Sequence, residues 1–191
     1  MKTTLLALLL TASVTVRAEP IAVGAPLPAL AIEKPGELTL QGDDIRFAPW
    51  DSSQLSGRVH VLQYLAGRMA ASKLNEPLTD RLDAEDFPTD QHRVTTIINL
   101  DDALWGTGGF VMGELKSNKR RYPEAGIIAD GSGLGLRTWQ LEPNSSAIAV
   151  LDADGVVRFY RQGALSSAEI EQVIALIRQE IARQSTLARD R

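Results

Sequence analysis

Cysteine is absent from the 191 residues of this chain. Thiol–disulfide exchange and thiol-dependent peroxide reduction both need a thiolate nucleophile, so the sequence excludes both activities. Disulfide bonds are excluded as well, and the fold must be stabilised by packing and polar contacts alone. Lipid attachment at an N-terminal cysteine is excluded for the same reason.

Histidine, aromatic residues and positive charge are also scarce. The two histidines, His60 and His92, each lie near the start of a predicted strand, and they are too isolated in sequence to predict a metal site or a catalytic pair. The formal net charge is −4, which does not favour binding to nucleic acid. A short basic cluster, Lys116, Lys119, Arg120 and Arg121, is typical of a solvated helix face.

Residues 1–18 have the pattern of a cleavable secretory signal. Lys2 is followed by an apolar run at residues 5–10, and small residues at Val16 and Ala18 predict cleavage after Ala18. The run is shorter than the roughly 20 apolar residues that span a membrane, so no stable membrane insertion is expected after cleavage. The mature chain is therefore expected to be exported.

The remaining chain is predicted to form an N-terminal extension (19–58), one α/β domain (59–184) and a flexible tail (185–191). Alternating residues at 37–40 and 44–47 predict a small hairpin in the extension. Strands at 60–65, 94–100 and 126–129 alternate with helices that end near Leu82 and Arg121. Pro77 is expected to kink the first helix, whose face is marked by Leu74 and Leu78.

A hairpin around the turn at residues 152–155 and a last helix after Ser166 complete the order. Alternating strands and helices imply parallel strands joined by right-handed crossovers. The predicted fold class is α/β, a mixed sheet with helices on both faces.

This order resembles the thioredoxin fold, and single residues fall on its spacing. Ala66, Lys73 and Pro77 match the positions around the redox centre of thioredoxins. The two cysteine positions are occupied by Met69 and Ser72. The buried acid of the redox mechanism corresponds to Gln63, and the cis-proline to Ser146.

The mature chain is, more specifically, similar to the YtfJ family of exported bacterial proteins. The resemblance implies a thioredoxin-like fold and a periplasmic location, and it implies no particular activity. The matching segments are 61–63, 66–68, 95–97, 101–103, 106–108, 110–111, 117–119, 122–123, 139–141, 145–148 and 163–165.

Ligands of open α/β sheets bind outside the carboxyl ends of the strands. Loops 67–72, 101–109 and 144–146 are expected to meet there. The predicted ligand or partner surface consists of Arg68, Met69, Ser72, Lys73, Asp101, Asp102, Trp105, Ser145 and Ser146.

Several residues at these loops have more than one interpretation. Asp101 and Asp102 could bind a hard cation, but capping of the following turn is the favoured interpretation. The glycines at 106–109 are weak evidence for an anion site. Trp105 is interpreted as core or loop packing, with exposure at a binding surface as the alternative. Met69 is interpreted as packing rather than an oxidation sensor.

Two classes of function remain open, no cofactor is predicted for either, and dependence on a metal or an anion is left open for the second. One is a non-redox module that binds an exported protein or peptide, with Ser145 and Ser146 offering a backbone edge as the resemblance implies. The other is an enzyme with non-thiol chemistry at Arg68, Asp101 and Asp102. Hydrolysis by Ser72 or Ser146 has no support because no histidine is assigned near either residue.

Overall fold

The computed structural model describes residues 19–189, and the predicted secretory signal lies outside the described residues. Seven strands form one sheet: β1 Ala31–Gln41, β2 Asp44–Asp51, β3 Val59–Ala66, β4 His92–Asn99, β5 Gly126–Asp130, β6 Ser146–Leu151 and β7 Val157–Gln162. The helices are α1 Met69–Leu74, α2 Glu76–Glu85, α3 Gly108–Arg121, α4 Leu134–Thr138 and α5 Ser167–Arg189.

The sheet is mixed, with the order β2-β1-β5-β4-β3-β6-β7. Strands β3, β4 and β5 are parallel, and the chain crosses between them through α1–α2 and then α3. The pairs β1–β2, β1–β5, β3–β6 and β6–β7 are antiparallel. The predicted α/β class with a mixed sheet is confirmed, and the predicted N-terminal hairpin forms the β1–β2 edge of this same sheet.

One face of the sheet is covered by long helices. Leu78 of α2 and Ile174 of α5 pack against Val61 and Ile148, while Leu115 of α3 packs in an adjacent cluster with Ile98. Each fully buried aliphatic side chain of this kind stabilises the fold by about 1.5–3 kcal/mol. Because both crossovers run in the same direction across the sheet, their helices lie on one face.

The opposite face is covered by the N-terminal segment and the short helix α4. Ile21 and Leu30 pack there with Trp139, against Leu62 and Tyr64 of β3. The N-terminal segment and α4 therefore exclude water from the side of β3 that the long helices do not cover.

The first crossover helix is broken rather than gently kinked. Helix α1 ends at Leu74, and Pro77 lies in the first turn of α2, where it has no hydrogen bond to lose. The break turns Leu74 out to solvent, so its prediction as part of the buried helix face is wrong. Leu78 and Leu82 are buried as predicted.

Two further predictions about helices need correction. Lys119 is buried, and its Nζ donates to the carbonyls of Pro123 and Ala125, each at 2.7 Å, so it does not belong to a solvated basic face. Helix α5 continues to Arg189, past Gln184, where the sequence predicted fraying. Among residues 19–189, no helix combines the length and apolarity that a membrane crossing would require.

The end of the sheet where β3 and β4 begin is held by buried charges. Asp152, fully buried after β6, accepts hydrogen bonds from the backbone N–H groups of Asp154 and Val156 and pairs with Arg158 and Arg183. Burial alone would raise the pKa of Asp152, but these hydrogen bonds and the Arg158 charge hold the pKa below its usual value. The predicted hairpin turn at 152–155 is confirmed, and Asp152 is its organising residue.

Candidate functional site

The candidate site lies at the edge of the sheet where the parallel strands end. Strands β3, β4 and β5 end there at Ala66, Asn99 and Asp130, and β6 begins there at Ser146. The three loops predicted to converge do so, and specific hydrogen bonds join them.

The loops after β3 and β4 are locked together at Gly67 and Arg68. Arg68 Nε donates to the backbone carbonyl of Asp102 at 2.5 Å, and the Gly67 N–H donates to the carbonyl of Asn99 at 2.8 Å. A Cβ at position 67 would lie 2.7 Å from that Asn99 carbonyl oxygen. Glycine is therefore needed at position 67 for the close approach of the two loops.

The third loop joins through Asp102 and Ser145. Asp102 Oδ2 accepts from the Asn144 N–H at 3.2 Å, and the Ser145 carbonyl accepts from the Ala66 N–H at 3.0 Å. Asn144 has a φ of 60°, a conformation that asparagine tolerates better than most residues. Arg68, Asp102 and Ser145 are thus brought together as predicted.

The turn that follows β4 is capped by Asn99 and not by the two aspartates. Asn99 Oδ1 accepts from the Asp101 N–H at 3.0 Å, while the Asp101 side chain is exposed. The predicted capping role of Asp101 and Asp102 is wrong, because the Asn99 side chain at the end of β4 accepts the hydrogen bond from the Asp101 N–H. Within residues 19–189, no three His, Asp or Glu side chains gather as metal ligands would.

Ser146 does not belong to the exposed surface that the sequence predicted. Its hydroxyl is buried and accepts from Asn75 Nδ2 at 3.0 Å. The same Asn75 amide donates to the Gly163 carbonyl at 3.0 Å and accepts from the Leu165 N–H at 2.9 Å. Asn75, at the break between α1 and α2, thus joins this break to the start of β6 and to the segment after β7. The sequence did not predict this role, because no local pattern indicates such long-range hydrogen bonds.

The exposed polar residues of α1 show no activated nucleophile. Ser72 Oγ donates to the Met69 carbonyl at 2.9 Å, within its own helix, and Lys73 is exposed. Both histidines lie at the opposite end of the strands, about 20 Å away by the rise of β3. The arrangement gives no base that would activate Ser72.

Large apolar side chains are exposed along this edge, and together they form what we call the edge patch. Trp105 is fully exposed, Phe110 is 66% exposed and Met69 is 62% exposed. Leu104, which directly precedes Trp105, is also exposed and is the fourth member of the patch, while Leu74 is exposed at the end of α1 and is not counted in it. The favoured interpretations of Trp105 and Met69 as packing residues are wrong, whereas Trp50 and Trp139 are buried as expected of core residues.

A buried carboxylate behind the site was also missed. Asp130 accepts from the Tyr64 hydroxyl at 2.9 Å and from the backbone N–H groups of Ser132, Leu134 and Gly135. Burial and the nearby Asp130 charge raise the pKa of Tyr64 far above its usual value. The three bonds from backbone N–H groups hold the loop that leads into α4, and the bond from Tyr64 joins this loop to β3. The signal was available, since an aspartate followed by Gly-Ser-Gly directly after a strand is typical of such a loop.

The positions that correspond to the redox centre of thioredoxins hold no residue capable of thiol chemistry. Gln63 is buried and neutral, Met69 and Ser72 stand at the two sulfur positions, and the peptide bond before Ser146 is trans. Fold and site together define a thioredoxin-like domain without a thiol redox centre.

Solved structures of low sequence identity share this fold. A proposed thiol:disulfide interchange protein DsbE from Chlorobium tepidum matches with a TM-score of 0.58 at 16% identity, over 84% of this chain and 99% of that one. A thiol-disulfide isomerase from Corynebacterium glutamicum matches with a TM-score of 0.53 at 13% identity, over 78% and 95% of the two chains. At such identities the likeness shows the fold alone.

Relatives of higher identity place the chain in a family. Residues 21–180 match the model of the family described as "Bacterial protein of unknown function (YtfJ_HI0045)". The chain is 42% identical to the uncharacterized protein YtfJ of Escherichia coli, over 81% of this chain and 84% of that protein. It is 40% identical to an uncharacterized protein of Haemophilus influenzae, over 79% and 82%. The chain belongs to the YtfJ_HI0045 family, as the sequence resemblance predicted.

Proposed function

We propose that this protein is an exported, periplasmic binding module that captures a protein or peptide on the edge patch without redox chemistry. The observation that carries the proposal is the exposure of Met69, Leu104, Trp105 and Phe110 at the one edge where loops converge. Concentrated apolar surface of this kind marks binding sites in soluble proteins.

The composition of the edge patch suits recognition of a protein partner. Tryptophan is among the residues that contribute most binding energy at protein interfaces, and methionine adapts to differently shaped side chains. Arg68, half-buried beside the patch, and the exposed Asp101 provide a polar border. This arrangement of an apolar centre with a charged rim is typical of protein interfaces.

Side-chain docking is better supported than addition of a strand at Ser145 and Ser146. The Ser145 carbonyl already accepts from Ala66, and the Ser146 carbonyl accepts from the Gly163 N–H at 2.7 Å. Both acceptors are therefore used within the sheet. The proposed partner is held chiefly by its own apolar side chains against the edge patch.

No specific observation favours the alternative of a non-thiol enzyme. Arg68 and Asp102 are engaged in holding loops together, through the Asp102 carbonyl and the Asn144 N–H. Their contacts are fully accounted for by the architecture of the edge.

Selection of peptides on the purified mature chain tests the proposal. Peptides from a displayed library of exported-protein sequences are expected to bind the wild type and to lose binding to the Met69→Glu variant. Val23→Glu is a matched control, because Val23 is also 62% exposed and lies on the N-terminal segment near the opposite end of the sheet. Failure to select any peptide, or equal loss in both variants, would contradict the proposal.

Insulin reduction and peroxide consumption provide the chemical counterpart. Neither assay is expected to show turnover above buffer, because the chain offers no thiolate. Measurable turnover by the purified chain in either assay would refute the non-redox part of the proposal.

A further inference from the structure

His60 is buried with half of its imidazole unpartnered. The side chain is 1% exposed, and Nδ1 lies 3.3 Å from Thr95 Oγ1 of the neighbouring strand. Among the described residues, Nε2 has no hydrogen-bond partner. A buried imidazole can occupy such a position only in its neutral form without a large loss of solvation energy.

His92 is in a similar position on the other face of the sheet. It is 9% exposed, its ring lies 5.1 Å from the Phe87 ring centroid, and its Nε2 has no partner within residues 19–189. Val59 is the direct neighbour of His92 in the parallel ladder, and Arg93 is the direct neighbour of His60. The two histidines therefore lie at the same end of the central strands, one on each face.

The charged groups around His60 do not favour a positive imidazole. The charges that act on it are those of Arg93, Arg58 and protonated His92, and all three are positive. Arg93 is itself paired with Glu37 at 3.0 Å. On the other side, Leu151 of β6 pairs with His60, and the carboxylate of the next residue is already held by arginines.

At this end of the sheet, helix α5 presents two neutral side chains and one arginine that is already paired with carboxylates. Gln184 contacts the Gly57 carbonyl, and Ser185 contacts the Gln91 side chain. Arg183 is bound to Glu180 at 2.7 Å as well as to Asp152. None of these contacts offers a free carboxylate that would stabilise protonated His92.

Burial lowers the pKa of His60 to about 3, with smaller contributions from the charges of Arg93, Arg58 and His92, and burial lowers the pKa of His92 to about 4. In the unfolded chain both groups have a pKa of about 6.5. Because each pKa is lower in the folded protein, the unfolded state binds more protons below pH 6.5. The contribution of the two neutral imidazoles to the free energy of unfolding is therefore fully present above pH 6.5. It is lost as the pH falls toward the pKa values that the two residues have in the folded protein.

We propose that His60 and His92 act as a two-proton acid switch, whose protonation opens the end of the sheet where β3 and β4 begin. Since β3 and β4 are central strands packed on both faces, opening at this end disrupts both layers of the core. The switch does not depend on the function proposed for the edge patch, which lies at the other end of the same strands.

Imidazole NMR on the wild-type chain tests the switch directly, because the sequence contains only two histidines. Both rings are expected to stay neutral in the folded protein during acid titration and to become protonated only in step with loss of near-ultraviolet circular dichroism. Ordinary titration of either ring at about pH 6.5 with the fold intact would overturn the proposal.

The double variant His60→Gln/His92→Phe separates histidine from carboxylate effects. Its acid-unfolding midpoint is expected to move down by about one pH unit, and its uptake of protons on unfolding at about pH 5 to fall by nearly two. A midpoint equal to that of the wild type would assign acid unfolding to carboxylates such as Asp152 and overturn the proposal. If the variant does not fold, the wild-type ring titration alone decides.

Discussion

The two ends of the central strands have opposite construction. Where β3 and β4 begin, charged and polar groups are buried: Asp152, Glu180 and both histidines are less than a tenth exposed. Where the same strands end, Met69, Trp105 and Phe110 face solvent. Burial of polar groups at one end and exposure of apolar groups at the other both work against stability unless something compensates. At the first end, hydrogen bonds and ion pairs compensate for the burial of Asp152 and Glu180, whereas Nε2 of each histidine has no partner among residues 19–189. At the second end, nothing in the described part of the chain covers the apolar side chains, which is typical of a surface kept for binding.

Removal of the buried carboxylate is expected to have the largest effect on stability. Asp152→Ala leaves the N–H groups of Asp154 and Val156 without their acceptor and separates Arg158 and Arg183 from their shared partner. The free energy of unfolding, measured by urea denaturation, should fall by about 3 kcal/mol.

Asp44→Ala is the matched control for this carboxylate. Asp44 forms an exposed pair with Arg46 at 3.9 Å, so its removal should change stability by less than about 0.5 kcal/mol. Equal effects of the two substitutions would show that the buried cluster contributes no more than a surface pair.

Removal of the amide that joins the helix break to β6 and β7 should have the next largest effect. Asn75→Ala abolishes bonds to Ser146, Gly163 and Leu165, and it leaves a buried hydroxyl and two partly buried backbone groups without these partners. A loss of about 2 kcal/mol in unfolding free energy is expected from urea denaturation. Retention of wild-type stability would mean that water replaces the amide without loss.

Two glycine substitutions should have opposite signs. Gly67→Ala places a Cβ 2.7 Å from the Asn99 carbonyl oxygen and should destabilise the edge by about 1–2 kcal/mol. Gly113→Ala lies in the middle of α3 with open space around it and should stabilise the chain by about 0.5–1 kcal/mol. Thermal unfolding of both variants checks the comparison, and the same sign for both would contradict it.

The smallest effect on stability is expected for the most exposed aromatic residue. Trp105→Ala should change the unfolding free energy by less than about 0.5 kcal/mol, because the side chain has no packing to lose. A loss above about 1 kcal/mol would show that Trp105 packs in solution, and the edge patch would then lose its main member.

The sequence predicted the fold well because local patterns and the global fold agree in this chain. The alternation around residues 37–47, the Asp-Ala-Asp-Gly turn and the Ser166–Glu169 capping box, with Ser166 N–H to Glu169 Oε2 at 2.8 Å, all appear as expected. The convergence of loops at one edge also followed from the parallel order of strands.

The details of the site were harder to predict because they depend on distant residues. Burial of Ser146 depends on Asn75, far away in sequence, and exposure of Leu74 depends on where the helix breaks. Asn99, and not the aspartates, caps the turn, because it is the last residue of β4 and its side chain lies beside the Asp101 N–H. The exposure of Trp105 depends on the tertiary structure, and no local sequence pattern predicts it.

Site-specific photocrosslinking in living cells tests the central claim most directly. A photoreactive amino acid at position 105 is compared with one at position 23, and the position 105 variant is repeated with Met69→Glu. We expect discrete protein adducts from position 105 that are absent from position 23 and lost with Met69→Glu. Identical adducts from both positions, or none from position 105, would contradict a binding function of the edge patch.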